Sequence, residues 1–462
     1  MTTVIENDRK WWTVVAISLC LAIAFIDQTA VAVLLPTLHK VFGISEIMQD
    51  WVVNSYLLSI AAFIMLGGRL SDIIGHRRCL LIGLYGFMAA SILCGISDGI
   101  VTLLVGRILQ GIFGAILFPN TAIAVVTAFP EGERGTAVGT YVGIGTIFLN
   151  LGPLIGGFFT QYLTWRLVFL INIPIGMLSI WLMHISISRK YDKFIKQKID
   201  WLGSLLLIIT VISLISGMMN GARFGWSSQL TIGLFIVGFL ALYALLVVER
   251  SVKNPLIDLN TFKYFNFTKF CLVRVCMQAA MMSRVFLIIY FQLVLGVSPF
   301  EAGLMVLPST LPNLVMAPLG GRLLDRYGSR VPASFGLLFL FLGVISIAFS
   351  VSSMNYYNLL LGMILIGMGL PLIGGPLFTD ILSGVALKER GMASGIFTLA
   401  RQFGSTMGVA LIAAVIAAVQ KFYVDALPSS TSYMLGFRAA MFLLAIFVFL
   451  CLIWMLRGKK EK

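Results

Sequence analysis

The chain has 462 residues, 59% hydrophobic and only 11% charged, with a mean hydropathy of +0.99. Soluble domains carry about 25% charged residues, so a soluble globular protein is excluded and an integral membrane protein is expected. The net charge of +14 would suit a nucleic-acid binder, but its placement argues against one. Lys and Arg gather in one set of alternating loops and at both ends; only Lys40, Arg166, Arg223 and Lys421 fall in the opposite set. This is the positive-inside bias. It predicts a multi-pass protein of the inner (cytoplasmic) membrane with both termini cytoplasmic, partnered by the lipid bilayer and by no nucleic acid.

A span needs about 20 apolar residues. Fourteen transmembrane helices are predicted, at roughly 11–35, 51–68, 79–97, 99–126, 136–159, 168–187, 201–219, 229–248, 267–295, 302–321, 331–351, 358–378, 391–420 and 433–455. The first is too long for a cleavable signal peptide and lacks a small-residue cleavage site, so it reads as a signal anchor. It also contains one carboxylate, Asp27, in "LAIAFIDQTAVAVLLP" (21–36).

Along the chain, "GGRLSDIIGHR" (67–77) recurs as "GGRLLDRYGSR" (320–330), and "ERGTAVG" (133–139) recurs as "ERGMASG" (389–395), at offsets of 253 and 256. Two matches at nearly one offset mean two homologous halves. The expected organisation is a six-helix bundle over 1–187, a basic cytoplasmic linker over 188–200, an inserted hairpin over 201–248 and a second six-helix bundle over 249–462. Repeated halves enclosing a midplane site are a transporter architecture. Two halves in one chain make a working monomer plausible.

Several motifs, taken in order, carry a resemblance. They are "IDQTAVAVLLP" (26–36), "GGRLSDIIGHRR" (67–78), "GRILQGIFGA" (106–115), "GTIFLNLGPLIGG" (145–157), "WRLVFLINIPIG" (165–176), "NPLIDLNTF" (254–262) and "RQFGSTMGVA" (401–410). With them the chain resembles the major facilitator superfamily, in its fourteen-span drug:proton antiporter family. The resemblance implies an all-α membrane protein with the major-facilitator fold, two six-helix bundles and an inserted hairpin. It also implies proton-coupled export of amphipathic organic compounds, and proton coupling through the first-span acid and the fourth-span arginine.

The residues support a similar reading on their own. No GxxxxGK[ST] phosphate loop is present, and no Ser-His-Asp set. His39, His76 and His184 are scattered, and the six cysteines have no CxxC spacing. Neither an enzyme, a metal site nor a cofactor is therefore expected, and energy has to come from an ion gradient. Asp27 and Arg107 each lie about 12 Å from the outer end of their spans at 1.5 Å per residue. Those spans run antiparallel, so the charges can meet at one depth. Two readings follow: a permanent pair that fixes helix packing, or a switch in which Asp27 takes up a proton when Arg107 leaves. The second half carries Met363 where the repeat would place an arginine.

Gly152, Gly156 and Gly157 around Pro153 allow close helix approach and a bend; the resemblance adds an interface closing the cytoplasmic side, and plain packing is the alternative. The loop residues Gly67, Gly68, Arg69, Asp72, Gly75 and Arg77, with Asp325 in the second copy, read as a conformational latch, or else as solvated topogenic charge. Candidate substrate contacts are Asn54, Gln110, Asn150, Gln278, Arg284 and Arg401. Arg274 is either a cavity residue or a lipid-phosphate contact near the inner interface. The excess of arginine over deep acid leaves a second transport reading open: movement of an organic anion or siderophore-like metabolite, import included. A non-transporting receptor or scaffold with the same fold is the alternative of another class.

Overall fold

The computed structural model describes residues 9–187, 200–252, 255–257, 265–385, 389–423 and 427–457, without the side chains of 46, 47, 50, 150, 222–224, 265, 266, 299 and 300. Most of the expected basic linker, 188–199, and the side chain of Asn150 therefore lie outside the described residues.

Among the described residues the α-helices are α1 (Lys10–Phe42), α2 (Glu46–Ile74), α3 (His76–Gly95), α4 (Ile100–Ala128), α5 (Arg134–Tyr162), α6 (Leu167–Leu170), α7 (Asn172–Ser186), α8 (Trp201–Phe224), α9 (Gln229–Ser251), α10 (Phe265–Met281), α11 (Ser283–Leu293), α12 (Pro299–Met305), α13 (Asn313–Tyr327), α14 (Arg330–Ser350), α15 (Tyr356–Gly384), α16 (Arg390–Phe422) and α17 (Ser429–Arg457). They make fourteen stretches long and apolar enough to cross a membrane, as the hydropathy pattern predicts. Three of these are interrupted: α6/α7, α10/α11 and α12/α13.

Local sequence explains the joints. α1 ends at Gly43, whose φ of +62° is the left-handed conformation that a glycine C-cap adopts without a Cβ penalty, and its N–H bonds His39 O at 2.9 Å. Ser45 then caps α2 through Met48 N–H. The α6/α7 break follows from Pro174, which has no N–H for the Leu170 carbonyl four residues earlier. A new helix starts at Asn172 with Pro174 in its first turn, where a missing N–H leaves no intrahelical bond unmade. Pro308 and Pro312 interrupt the α12/α13 span in the same way. The α10/α11 break at Met282 has no proline near it.

The described residues fall into two compact units: Met1–Ile212 with Gly238–Thr261 and Ile381–Leu399, and Ser213–Val237 with Phe262–Asp380 and Ala400–Lys462. In the first, α1 is central and packs on α5, α7, α4 and α2, while α4 also packs on α2 and α3. In the second, α14 packs on α17 and α13, and α10 and α11 lie against α17.

The glycines of α5 set how closely it meets α1. A Cβ on Gly156 would fall 2.7 Å from Ala30 O and 3.1 Å from Ala30 Cα, and one on Gly152 would fall 3.1 Å from Ile26 O and overlap the Thr29 hydroxyl. Thr29 Oγ1 donates to Leu149 O at 3.0 Å across the same contact. Gly157 faces open space, with Val33 at 4.0 Å, and Pro153 is exposed. Overpacking at a site without room costs about 1–3 kcal/mol. Gly156→Leu is therefore expected to lower the melting temperature of the purified protein by several degrees, while Gly157→Leu leaves it unchanged. Equal effects of the two would contradict this packing.

Candidate functional site: a buried ion pair in the first unit

Asp27 on α1 and Arg107 on α4 are both fully buried, and Arg107 Nη1 forms an ion pair with Asp27 Oδ2. The pair sits in a buried hydrogen-bond network. Gln110 lies one turn after Arg107 on α4; it donates from Nε2 to Asp27 Oδ1 at 3.0 Å and to Ser91 Oγ at 2.8 Å. Its Oε1 accepts from Arg107 Nη1 at 2.8 Å and from the Cys94 thiol at 3.5 Å. Asn172, the first residue of α7, donates from Nδ2 to Asp27 Oδ1 at 3.4 Å and to Ser91 Oγ at 3.1 Å. Arg107 Nε donates to Val52 O at 3.0 Å. Five helices thus converge on one carboxylate.

Aromatic rings complete the cage. The guanidinium lies 4.3 Å from the Tyr56 ring centroid and 5.9 Å from that of Phe169, cation–π distances that favour charge held out of water. Tyr56 is itself held by its hydroxyl on Ala24 O at 3.0 Å. Beside the pair, Ile26, Ala30, Val31, Leu34, Val52, Leu103, Trp165 and Phe169 form a buried apolar cluster. Two polar atoms of the cage remain without a hydrogen-bond partner among the described residues: Arg107 Nη2 and Asn172 Oδ1. The network is therefore incomplete at the guanidinium and at the Asn172 amide oxygen.

Of the other predicted site residues in this unit, Gln110 lies inside the first unit. It is fully buried and belongs to the Asp27 network. Asn54 is half-buried on α2. In the second unit, Gln278 on α10 is buried with Nε2 3.4 Å from Met281 Sδ. Arg284 opens α11, and Arg401 on α16 is half-buried. Sequence reasoning missed Asn172 and Ser91. The signal for Asn172 was present: an amide in a hydrophobic span needs partners, and Pro174 marks the helix start that presents it.

The loop residues assemble at the far end of α2. Asp72 is buried; it accepts Gly391 N–H at 2.9 Å on Oδ1 and Met392 N–H at 3.2 Å on Oδ2. These are N–H groups of the first turn of α16, which no intrahelical acceptor satisfies and which carry the positive end of the helix dipole. Gly67 packs on Ala115 and Ile116, and Gly68 on the Gly391 backbone. Gly75 has φ +96°, a conformation that L residues rarely adopt, and it turns α2 into α3. Arg69 and Arg77 are buried around this turn. In the second copy, Asp325 is half-buried near the end of α13.

A fold of this kind with a charged pair sealed inside one unit is that of a membrane transporter. A family profile described as Major Facilitator Superfamily matches residues 17–409, and the chain belongs to that family. Among its relatives, multidrug resistance protein Stp of Mycobacterium tuberculosis is 33% identical over 89% of this chain and 77% of its own length. The tetracenomycin C resistance and export protein of Streptomyces glaucescens is 28% identical over the same shares. The proton:xylose symporter XylE shares the fold, with a TM-score of 0.64 at 15% identity over 96% of each chain.

Removing one member of a buried pair strands the other and costs about 3–5 kcal/mol, whereas replacing both with apolar residues is often neutral. Asp27→Leu and Arg107→Met are each expected to lower thermal stability markedly, and the double variant to recover most of the loss. A double variant as unstable as the sum of the two would contradict a pairwise charge interaction.

Proposed function

We propose that the chain is a proton-coupled antiporter that exports amphipathic organic compounds across the cytoplasmic membrane, works as a monomer with both termini in the cytoplasm, and draws its energy from the proton gradient. The observation that carries this reading is the Asp27–Arg107 pair, fully buried and fully hydrogen-bonded on the carboxylate side. The names of the drug-resistance relatives support export as its direction.

The chemistry follows from the donor inventory. In the paired arrangement Asp27 is an acceptor only: Arg107 occupies Oδ2, and Gln110 and Asn172 occupy Oδ1. When Arg107 withdraws, the carboxylate stands in an apolar cage with amide donors alone, and a proton takes the place of the guanidinium on Oδ2. Return of Arg107 expels it. Arg107 Nη2, unpartnered in the cage, gives the guanidinium a donor free to be drawn elsewhere.

The latch reading of Asp72 complements this. Its bonds to Gly391 and Met392 tie α2 to the start of α16, and a transport cycle has to break them. The glycine stripe of α5 keeps α1 in register beside Arg107. A plain packing role for both features requires no cycle.

In proteoliposomes under an imposed pH gradient, Asp27→Asn is expected to abolish proton-driven drug transport while the protein still inserts, because asparagine keeps an oxygen for Arg107 and cannot cycle a proton. Wild-type transport rates in that variant would overturn the assignment.

A further inference from the structure

The second unit has the opposite charge chemistry to the first. The stretches that form it contain five acidic residues: Glu301, Asp325, Asp380, Asp425 and Glu461. Glu301 closes a capping box with Ser298 at the start of α12. Asp325 stands near the end of α13, and Asp380 accepts the Ser329 hydroxyl at 2.5 Å near the end of α15. The remaining two lie outside the described residues. None of the described three is on α10, α11, α16 or α17, the helices that carry Arg274, Arg284, Arg401 and Arg438 within their spans.

Arg284 is the exceptional member of this group. It is the second residue of α11, directly after the break in its span. There the chain tightens: Met282 N–H bonds Ala279 O at 3.2 Å, Val285 N–H bonds Met282 O at 3.0 Å, and Ser283 Oγ bonds Ala280 O at 2.7 Å. No proline forces this turn, and such mid-helix tightening often marks a functional hinge. Nine residues separate Arg284 from Leu293 at the end of the span, about 14 Å of helix, which sets this half-buried residue well inside the span. Its Nη2 is sealed from solvent and meets no hydrogen-bond partner among the described residues. A charge at this depth is costly, and such residues mark substrate pathways and find counter-charges.

The neighbourhood reinforces positive charge. Gly404 brings α16 against Val275 and Gln278 of α10, and Arg274 Nη1 lies where a Cβ on Gly374 of α15 would come within 2.5 Å. Met277, Gln278 and Met281 occupy the same helix between Arg274 and Arg284, and methionine lines pockets that accept varied apolar shapes.

We propose that Arg284 is a substrate-recognition residue, and that the compounds this protein handles bear an acidic group, a carboxylate or sulfonate, which pairs with its guanidinium. This rests on the transport reading above and narrows it to acidic or zwitterionic amphiphiles. The acid of the compound supplies a partner that Arg284 Nη2 does not meet among the described residues.

The test uses purified full-length protein and two matched pairs: naproxen with its primary amide, and dansylglycine with dansylglycinamide. Calorimetric binding is expected to favour each acid over its amide by tenfold or more. Arg284→Met is expected to remove that preference, and to be at least as thermostable as the wild type because a buried unpartnered donor is gone. Arg284→Gln serves as a second variant with the same expected loss. Equal affinity for acid and amide in the wild type overturns the inference, and so does an acid preference that survives in both variants. Proton-driven uptake of the same compounds is measured separately in proteoliposomes. Acid-selective binding without transport refutes the transport reading and leaves the recognition residue standing; transport indifferent to the acid refutes only the inference.

Discussion

The constraint on which the rest of the first unit depends is a carboxylate buried in hydrocarbon. Asp27 is tolerated there because α4 and α7 bring three donors to it, Arg107, Gln110 and Asn172, while α2 and α3 hold those donors in place. α5 seats against the turn that carries Asp27 because Gly152 and Gly156 leave no side chain between the helices. α7 begins where it does because Pro174 ends the preceding turn, and that beginning is what aims Asn172 at the site. Tyr56, anchored on Ala24, holds the guanidinium against its ring. A buried pair is a poor stabiliser beside apolar residues of the same volume, so so many supports for one suggest selection for work rather than for packing.

Much of this was legible beforehand, and the failures have physical causes. The fourteen spans follow from hydropathy, because in lipid every backbone group must be satisfied within its own helix. The meeting of Asp27 and Arg107 follows from equal depth on antiparallel helices. Rotation about the helix axis is a different matter. Spans apolar on all sides carry a weak record of which face meets which neighbour, and so Gln110 was expected at the substrate face although it points at Asp27. Ser91 is small and unremarkable in sequence, and becomes visible only once Gln110 and Asn172 both reach it. Proline alone did not mark the breaks: Pro36, Pro119 and Pro153 lie inside continuous helices, Pro174 and Pro312 stand at joints, and the break at Met282 has no proline.

The two halves have diverged in chemistry while keeping their repeats. The first retains the deep acid and its arginine, and the second carries Met363 at the matching position of the repeat and arginines elsewhere. The signature loop is kept in both, yet Asp72 is bound to the first turn of α16 by two N–H groups, whereas Asp325 is only half-buried near its helix end. Under the function proposed above, one half holds the coupling acid and the other reads the charge of a cargo.

The central claim is that Asp27 exchanges a proton as Arg107 leaves and returns. The most direct measurement is proton release from purified protein in weakly buffered detergent on addition of a transported compound. The account predicts release from the wild type and none from Asp27→Asn at equal occupancy. Equal release from both proteins would contradict it.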